Sequence, residues 1–211
     1  MLRKRTLLKQ SSPYPIILHF DGDLTNNGSG GAMINVSGEF NTSVKKYGTA
    51  ALYNPTFGEG VRLPNSIASY LNSDFTIDFW VKPDNTLPAN GISNIFQLGA
   101  TNNGYYDSYI PLYFVRSADY QNVYKIAPFS TTYRTLYDWV HIALVRYQNI
   151  IKIYSNGSLI GETSEITGTS SPSQTISALL PGSNSILDEF RFSNYAVWTS
   201  NFTPPTAPYT A

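Results

Sequence analysis

Asp74-Phe75-Thr76-Ile77-Asp78-Phe79-Trp80-Val81-Lys82-Pro83 alternates in character with a period of two. Phe75, Ile77, Phe79 and Val81 fall on one face and Thr76, Asp78, Trp80 and Lys82 on the other, the pattern of a strand in a sheet with one buried side. Short apolar or alternating runs separated by turn clusters continue in both directions from this strand, and no stretch keeps a helical period. Upstream, strands are predicted at Ile16 to Phe20, Ala50 to Tyr53 and Val61 to Leu63. Downstream they are predicted at Ile95 to Leu98, Leu112 to Arg116, Val123 to Ala127, Trp139 to Tyr147, Ile150 to Ser155, Leu159 to Thr163 and Ile186 to Ser193. Between Ile150 and Thr163, Asn156-Gly157 supplies the two positive-φ residues of a two-residue hairpin turn. So many strands with no helices to cover them predict a two-layer antiparallel sandwich forming one all-β domain.

Composition agrees. Sixteen Tyr and eleven Phe suit pleated, half-buried surfaces. Fourteen basic residues against fourteen acidic ones leave no field that would attract nucleic acid or an anionic membrane. No cysteine is present, so disulfides, thiolate metal sites and cysteine nucleophiles are excluded. The opening MLRKRTLLKQSS is basic but lacks the apolar stretch of an export signal, and no membrane span is expected. Residues 1–15 read as a basic arm, with Arg3, Lys4, Arg5 and Lys9 followed by Ser11, Ser12, Pro13 and Pro15. The arm is expected to dock, on a neighbouring subunit or back on its own domain. Residues 16–211 form the single domain.

Several segments, taken in order, resemble the laminin G-like jelly roll found repeatedly in bacteriophage tail and surface proteins. Ile17-Leu18-His19-Phe20-Asp21-Gly22 is similar to the opening strand, and Tyr47-Gly48-Thr49-Ala50-Ala51-Leu52 to the strand that follows it. The 74–83 stretch resembles the family's D-F-T-[IV]-[ED]-F-W-[VI]-[KR]-P strand, and Trp139-Val140-His141-Ile142-Ala143-Leu144-Val145-Arg146 its W-x-H-[IV]-A-[LV]-x-R strand. Leu187-Asp188-Glu189-Phe190-Arg191-Phe192 and Asn201-Phe202-Thr203-Pro204-Pro205-Thr206-Ala207-Pro208 resemble the closing strand and tail. The resemblance covers residues 16–208, apart from a Tyr-rich stretch from Tyr105 to Tyr133. It implies a two-sheet antiparallel jelly roll of the concanavalin A-like lectin/glucanase type. It is much less specific for function, because one fold hosts many binding roles and some enzymes.

Glycoside hydrolysis needs two carboxyls about 5 to 9.5 Å apart across the bond. Glucanases of this fold carry Glu-x-Asp-x-Glu along one strand, and nothing here matches, since Asp78 stands alone among Thr76, Trp80 and Lys82. Asp188 and Glu189 are expected on opposite faces of their strand. His19 and His141 are the only histidines and are expected to be structural, with no Gly-x-Ser-x-Gly or His-Glu-x-x-His motif beside them. Gly28-Ser29-Gly30-Gly31 reads as a turn, since no following helix or phosphate-binding lysine accompanies it.

Asp188 is placed by alternation on the face of Ile186, Phe190 and Phe192, where an ionised carboxylate needs a partner. Calcium would serve, with Asp21 and Asp23 as further ligands, since related jelly rolls hold calcium at equivalent end-of-sheet positions. A basic side chain, or backbone N–H groups of a capped turn, would serve equally. For glycan or partner contact the candidates are Tyr105, Tyr106, Asp107, Tyr109, Tyr120 and Gln121, where rings can stack on pyranose faces and amides bond hydroxyls. Ordinary loop packing uses the same residues.

The resemblance and the composition together imply a non-catalytic phage virion protein, either a tail receptor-binding component or a capsid decoration protein. It would assemble in the host cytoplasm beside other virion subunits, as a homo-oligomer, and could meet a host cell-surface glycan. The alternatives are a freestanding carbohydrate-binding lectin and, third, a glycan hydrolase.

Overall fold

The computed structural model describes residues 13–54, 60–82, 92–102, 105–115, 123–125, 132–134, 138–164 and 185–211; four strands, 92–102, 105–115, 123–125 and 132–134, are described as backbone only. Among the described residues fourteen strands occur in the order β1 (Ile16–Leu18), β2 (Ile34–Asn35), β3 (Glu39–Asn41), β4 (Ala51–Tyr53), β5 (Val61–Arg62), β6 (Phe75–Lys82), β7 (Ile92–Asn102), β8 (Tyr105–Val115), β9 (Val123–Lys125), β10 (Thr132–Arg134), β11 (Val140–Tyr147), β12 (Ile150–Ser155), β13 (Ser158–Thr163) and β14 (Ile186–Ser193). A short 3-10 helix, Asn65–Tyr70, lies between β5 and β6. The pairings are antiparallel throughout. The main sheet has eight strands in the order β13-β12-β11-β6-β14-β4-β3, with β1 also on β14. The short strands β2, β3 and β10 are not among those predicted, whereas the equally short β1, β4, β5 and β9 fall within predicted apolar runs.

The alternation of β6 is realised on the inner side. Phe75 and Phe79 stack on Phe192 and Phe190 of β14 at centroid distances of 5.8 and 6.2 Å. Val61, Leu63, Ile67 and Leu71 close the same core from β5 and the 3-10 helix. Such a cluster supplies most of the apolar burial that drives folding.

On the other side the expectation of a solvated face fails. Thr76 and Asp78 are fully buried and Trp80 is 7% exposed. The cover is the chain after β14. Trp198 and Phe202 stack at 3.8 Å, and Phe202 packs edge-on against Tyr154 and His141. Polar groups fix the path: Thr76 Oγ1 donates to Tyr195 O at 3.0 Å and accepts from Val197 N at 2.8 Å. Asn201 Oδ1 accepts from Leu159 N at 2.9 Å, and Pro205 O accepts from the Tyr47 hydroxyl at 3.2 Å. The tail is therefore a third layer.

A second difference comes from a bulge. Asp188 pairs with Trp80 but Arg191 with Asp78, so three steps along β14 match two along β6. The extra residue is absorbed where Glu189 takes φ 52°. A bulge of one residue reverses the phase of every later side chain. Asp188 accordingly lies on the tail-covered face with Trp80, while Phe190 and Phe192 point into the core. The placement of Asp188 beside those phenylalanines is thus corrected.

The Asn156-Gly157 turn is present, with φ 46° and 77°. Gln148 and Asn149 form a second such turn, at φ 50° and 65°, which the sequence did not announce because neither residue is glycine. Gly157 N and O face the tail: Phe202 N donates to Gly157 O at 2.9 Å, and a Cβ at Gly157 would collide with Phe202 O. Gly157→Ala is expected to lose about 1–3 kcal/mol from the left-handed backbone and the collision, measurable as a lower denaturation midpoint. The glycine-rich loop is a turn, as expected. It lies against the edge of β1, with Gly30 N donating to Pro15 O at 2.7 Å and Asn26 Nδ2 to the same oxygen at 3.0 Å.

Candidate functional site

β14 shares one edge between two strands. β4 pairs with Ile186 and Leu187, β1 with Phe190 to Phe192, and the bulge occupies the gap. Two loops meet there, 19–27 after β1 and 42–50 before β4. Phe20 holds φ 59°, unusual for a bulky residue, directly beside them. Non-glycine residues in the left-handed region cluster where surrounding structure over-determines them, often at functional sites.

Each carboxylate at the junction has identified donors. Asp188 Oδ2 accepts from the N–H groups of Lys46 and Tyr47 at 2.7 and 3.0 Å, and Oδ1 from Glu189 N at 2.9 Å. Glu189 receives His19 Nδ1 at 2.9 and 3.0 Å from its two oxygens, and Tyr209 N at 2.8 Å. Asp21 Oδ1 accepts from Thr49 N, from Ala50 N at 3.3 Å and from the Thr49 hydroxyl at 3.1 Å. Asp23 accepts from Thr25 N at 2.8 Å, closing its own turn. Above Asp188, Lys46 Nζ sits 4.0 Å from the Trp80 ring centroid, and the Tyr47 ring meets Trp80 edge-on. His19, Phe20, Asp21, Asp23, Thr25 and Asn27 line a cleft of about 240 Å³.

Among the described residues, no group of three or more His, Asp or Glu side chains is placed to hold a metal ion. Asp188 Oδ2 accepts two N–H groups and Oδ1 one, so this carboxylate caps backbone donors, the reading that the sequence left open beside calcium at Asp21, Asp23 and Asp188.

Burial pushes the Asp188 carboxyl up to about 7, against the pull of the Tyr47 and Lys46 N–H groups, and the Glu189 charge adds to the rise. The hydrogen bond to Glu189 raises the His19 imidazole above its ordinary value, outweighing the lowering by burial. Both folded values exceed the unfolded ones, so each contribution to stability is complete at low pH and is lost as pH rises through the folded value. For Asp188 that loss begins near the unfolded value of 3.8 and is complete once pH passes about 7, and for His19 it begins near 6.5. The melting midpoint is therefore expected to fall as pH rises from about 4 to above 7, and Asp188→Asn should flatten the part of that fall below pH 7. An unchanged slope in the variant would reject the assignment.

A second polar cluster lies under the tail. Asp78 receives Arg191 in a two-pronged pair, Nε to Oδ1 and Nη2 to Oδ2, both at 3.0 Å. His141 Nε2 lies 3.2 Å from Asp78 Oδ2 and 3.2 Å from the Tyr209 hydroxyl. The Arg191 guanidinium also stacks 4.2 Å from the Tyr209 ring centroid. Burial pushes Asp78 upward, but the His141 hydrogen bond and the Arg191 charge prevail and hold it below its ordinary value. Asp78 and His141 are fully buried. The sequence held a signal for this cluster, a charged or titratable residue mid-strand in β6, β11 and β14. Without the strand order those residues could not be paired.

Tyr105, Tyr106, Asp107 and Tyr109 lie on β8. The first three stand opposite Asn102, Thr101 and Ala100 of β7, and Tyr109 lies at a register shift between Ser108 and Ile110. Tyr120, Gln121 and the arm residues Arg3, Lys4, Arg5 and Lys9 lie outside the described residues. Among the described residues no helix is long and apolar enough to cross a membrane.

The antiparallel layers, the capped strand junction and the tail-sealed sheet define a lectin-like β-sandwich. Residues 56–201 match the family described as the concanavalin A-like lectin/glucanases superfamily, and the chain belongs to that family. No curated protein is similar enough in sequence to count as a relative. Among solved structures, a Trypanosoma rangeli sialidase in complex with 2,3-difluorosialic acid aligns with 86% of this chain at TM-score 0.64 and 14% identity. This chain spans only 31% of that sialidase. Domain 4 of AbnA, an extracellular GH43 arabinanase of Geobacillus stearothermophilus in complex with arabinotriose, aligns over 90% of this chain and 96% of its own length, at TM-score 0.52 and 15% identity. At these identities the likeness concerns the fold alone.

Proposed function

We propose that this protein is a non-catalytic recognition domain, displayed on a bacteriophage particle as a tail receptor-binding component or a capsid decoration protein. The observation that carries the non-catalytic reading is the state of Asp78. It is the lone carboxylate of the alternating strand β6, and it is sealed beneath the tail and bonded to Arg191 and His141. A retaining or inverting pair must flank an open substrate, and Asp188 and Glu189 are likewise held by backbone and histidine partners. The particle assignment is supported by the ordered set of segments that resemble phage tail and surface proteins.

Glycan is the favoured ligand class, recognised through the Tyr105 to Tyr109 strand. The match to a whole domain of an arabinanase, in a structure that contains arabinotriose, supports the same class. A freestanding lectin is the second reading, and it is distinguished by oligomeric state, since virion components are symmetric oligomers.

The test is binding of the purified chain to a glycan array and to host cells, with calcium and again with a chelator. Saturable binding is expected, and is lost in the Tyr105→Ala/Tyr109→Ala double variant; loss of binding in the chelator would make calcium part of the site. Absence of binding under both conditions would leave decoration as the role. Release of sugar from the array would overturn the non-catalytic reading. Deleting residues 1–12 should abolish incorporation into particles, and normal incorporation would reject a docking arm.

A further inference from the structure

Tyr14 and Tyr195 border the buried cluster, the Arg191 guanidinium carbon lying 5.4 Å from the Tyr14 ring centroid. The Tyr195 hydroxyl donates to the Tyr14 oxygen at 3.0 Å, and the ring centroids lie 6.1 Å apart at 43°. Among the described residues this is the one ring contact between two tyrosines. The backbones are tied at the same place, Asn194 N donating to Pro13 O at 3.4 Å. Tyr195 is 37% exposed, so an oxidant can reach the pair from solvent.

We propose that Tyr14 and Tyr195 form a site of oxidative phenol coupling, which joins the segment before β1 to the segment after β14 by a carbon–carbon bond. The oxidant is peroxide acting through a haem peroxidase. Each phenol gives up one electron and one proton, and the two phenoxyl radicals combine at the ring carbons next to oxygen. The hydrogens on those carbons then move to the oxygens and restore both phenols. In sum, one hydrogen peroxide and two tyrosines give one dityrosine and two waters.

Each coupling carbon is a neighbour of the carbon that bears the hydroxyl. Oxygens at 3.0 Å therefore bring the two carbons within a side-chain rotation of each other. A pair held in place couples faster than tyrosines that must meet by diffusion. The product would be a covalent staple in a chain without cysteine, closing a loop from residue 14 to residue 195. Cross-links over long loops act chiefly by restricting the unfolded chain.

The experiment treats the dilute full chain with a haem peroxidase and hydrogen peroxide, isolates the monomer and digests it with trypsin. Cleavage after Lys9, Lys45 and Arg191 places Tyr14 in peptide 10–45 and Tyr195 in peptide 192–211. The expected product is these two peptides joined, lighter by two hydrogens, with dityrosine fluorescence and a raised melting midpoint. Tyr14→Phe and Tyr195→Phe keep the rings and should each abolish the joined peptide while leaving the untreated chain folded. Because peptide 192–211 also holds Tyr209, persistence of the joined peptide in Tyr195→Phe would overturn the proposal. So would coupling only between other tyrosines, or only between molecules.

Discussion

Asp78→Ala is expected to destabilise the protein by about 3–5 kcal/mol, the range for removing one partner of a buried ion pair. The substitution leaves the Arg191 guanidinium, 9% exposed as a residue, without its carboxylate and takes the partner from His141 Nε2 as well. The loss comes mainly from the stranded charge, not from the strength of the pair itself. Replacing both members, Asp78→Leu with Arg191→Met, should therefore cost much less than the sum of the single changes. Urea denaturation of the two single variants and the double variant gives the coupling directly. Additive losses would mean that Asp78 and Arg191 do not act as a pair. The pair should also fail in acid. Its folded-state value lies below the ordinary one, so its contribution is complete above the unfolded pKa of 3.8 and is lost as pH falls through the folded value.

Tyr209→Ala should be comparably damaging, about 3–5 kcal/mol by analogy with large aromatic truncations in cores. Only two residues of the sequence follow Tyr209, a position where a substitution would ordinarily be tolerated. Here its ring covers Arg191, its hydroxyl meets His141 and its N–H donates to Glu189. Tyr209→Phe keeps the ring and the backbone bond and should cost about 1 kcal/mol, the net worth of one hydrogen bond. Thermal melting of the two variants separates packing from hydroxyl. Equal losses would show that the hydroxyl bond, not the ring, secures the tail.

The tail explains how β6 is buried on both faces although one of them carries the polar Thr76 and Asp78. β6 and β11 are buried along nearly their whole lengths on both sides. A strand so enclosed must satisfy its inward polar side chains locally, and Asp78, Arg191 and His141 do so across three adjacent strands. The same enclosure seals the face of β6 that carries Asp78.

The sequence by itself determined the strands. β6, β12 and β14 begin and end where alternation and turn residues place them, and the Asn156-Gly157 hairpin closes as its two positive-φ residues require. These are local properties, fixed by steric preference within a few residues. The ordered motifs carried the family as well. Only the tertiary structure decided which residues meet. The bulge at Glu189 moved Asp188 from the core face to the tail side, and no period counted along β14 alone could reveal it, since the extra residue exists only relative to β6. The fate of Asp78 depended on Arg191, far along the chain, and on a tail that reads as a proline-rich terminus. Burial and pairing across such separations are set by strand order, which alternation does not encode, so the N–H partners of Asp188, held by a loop from before β4, could not be read along β14.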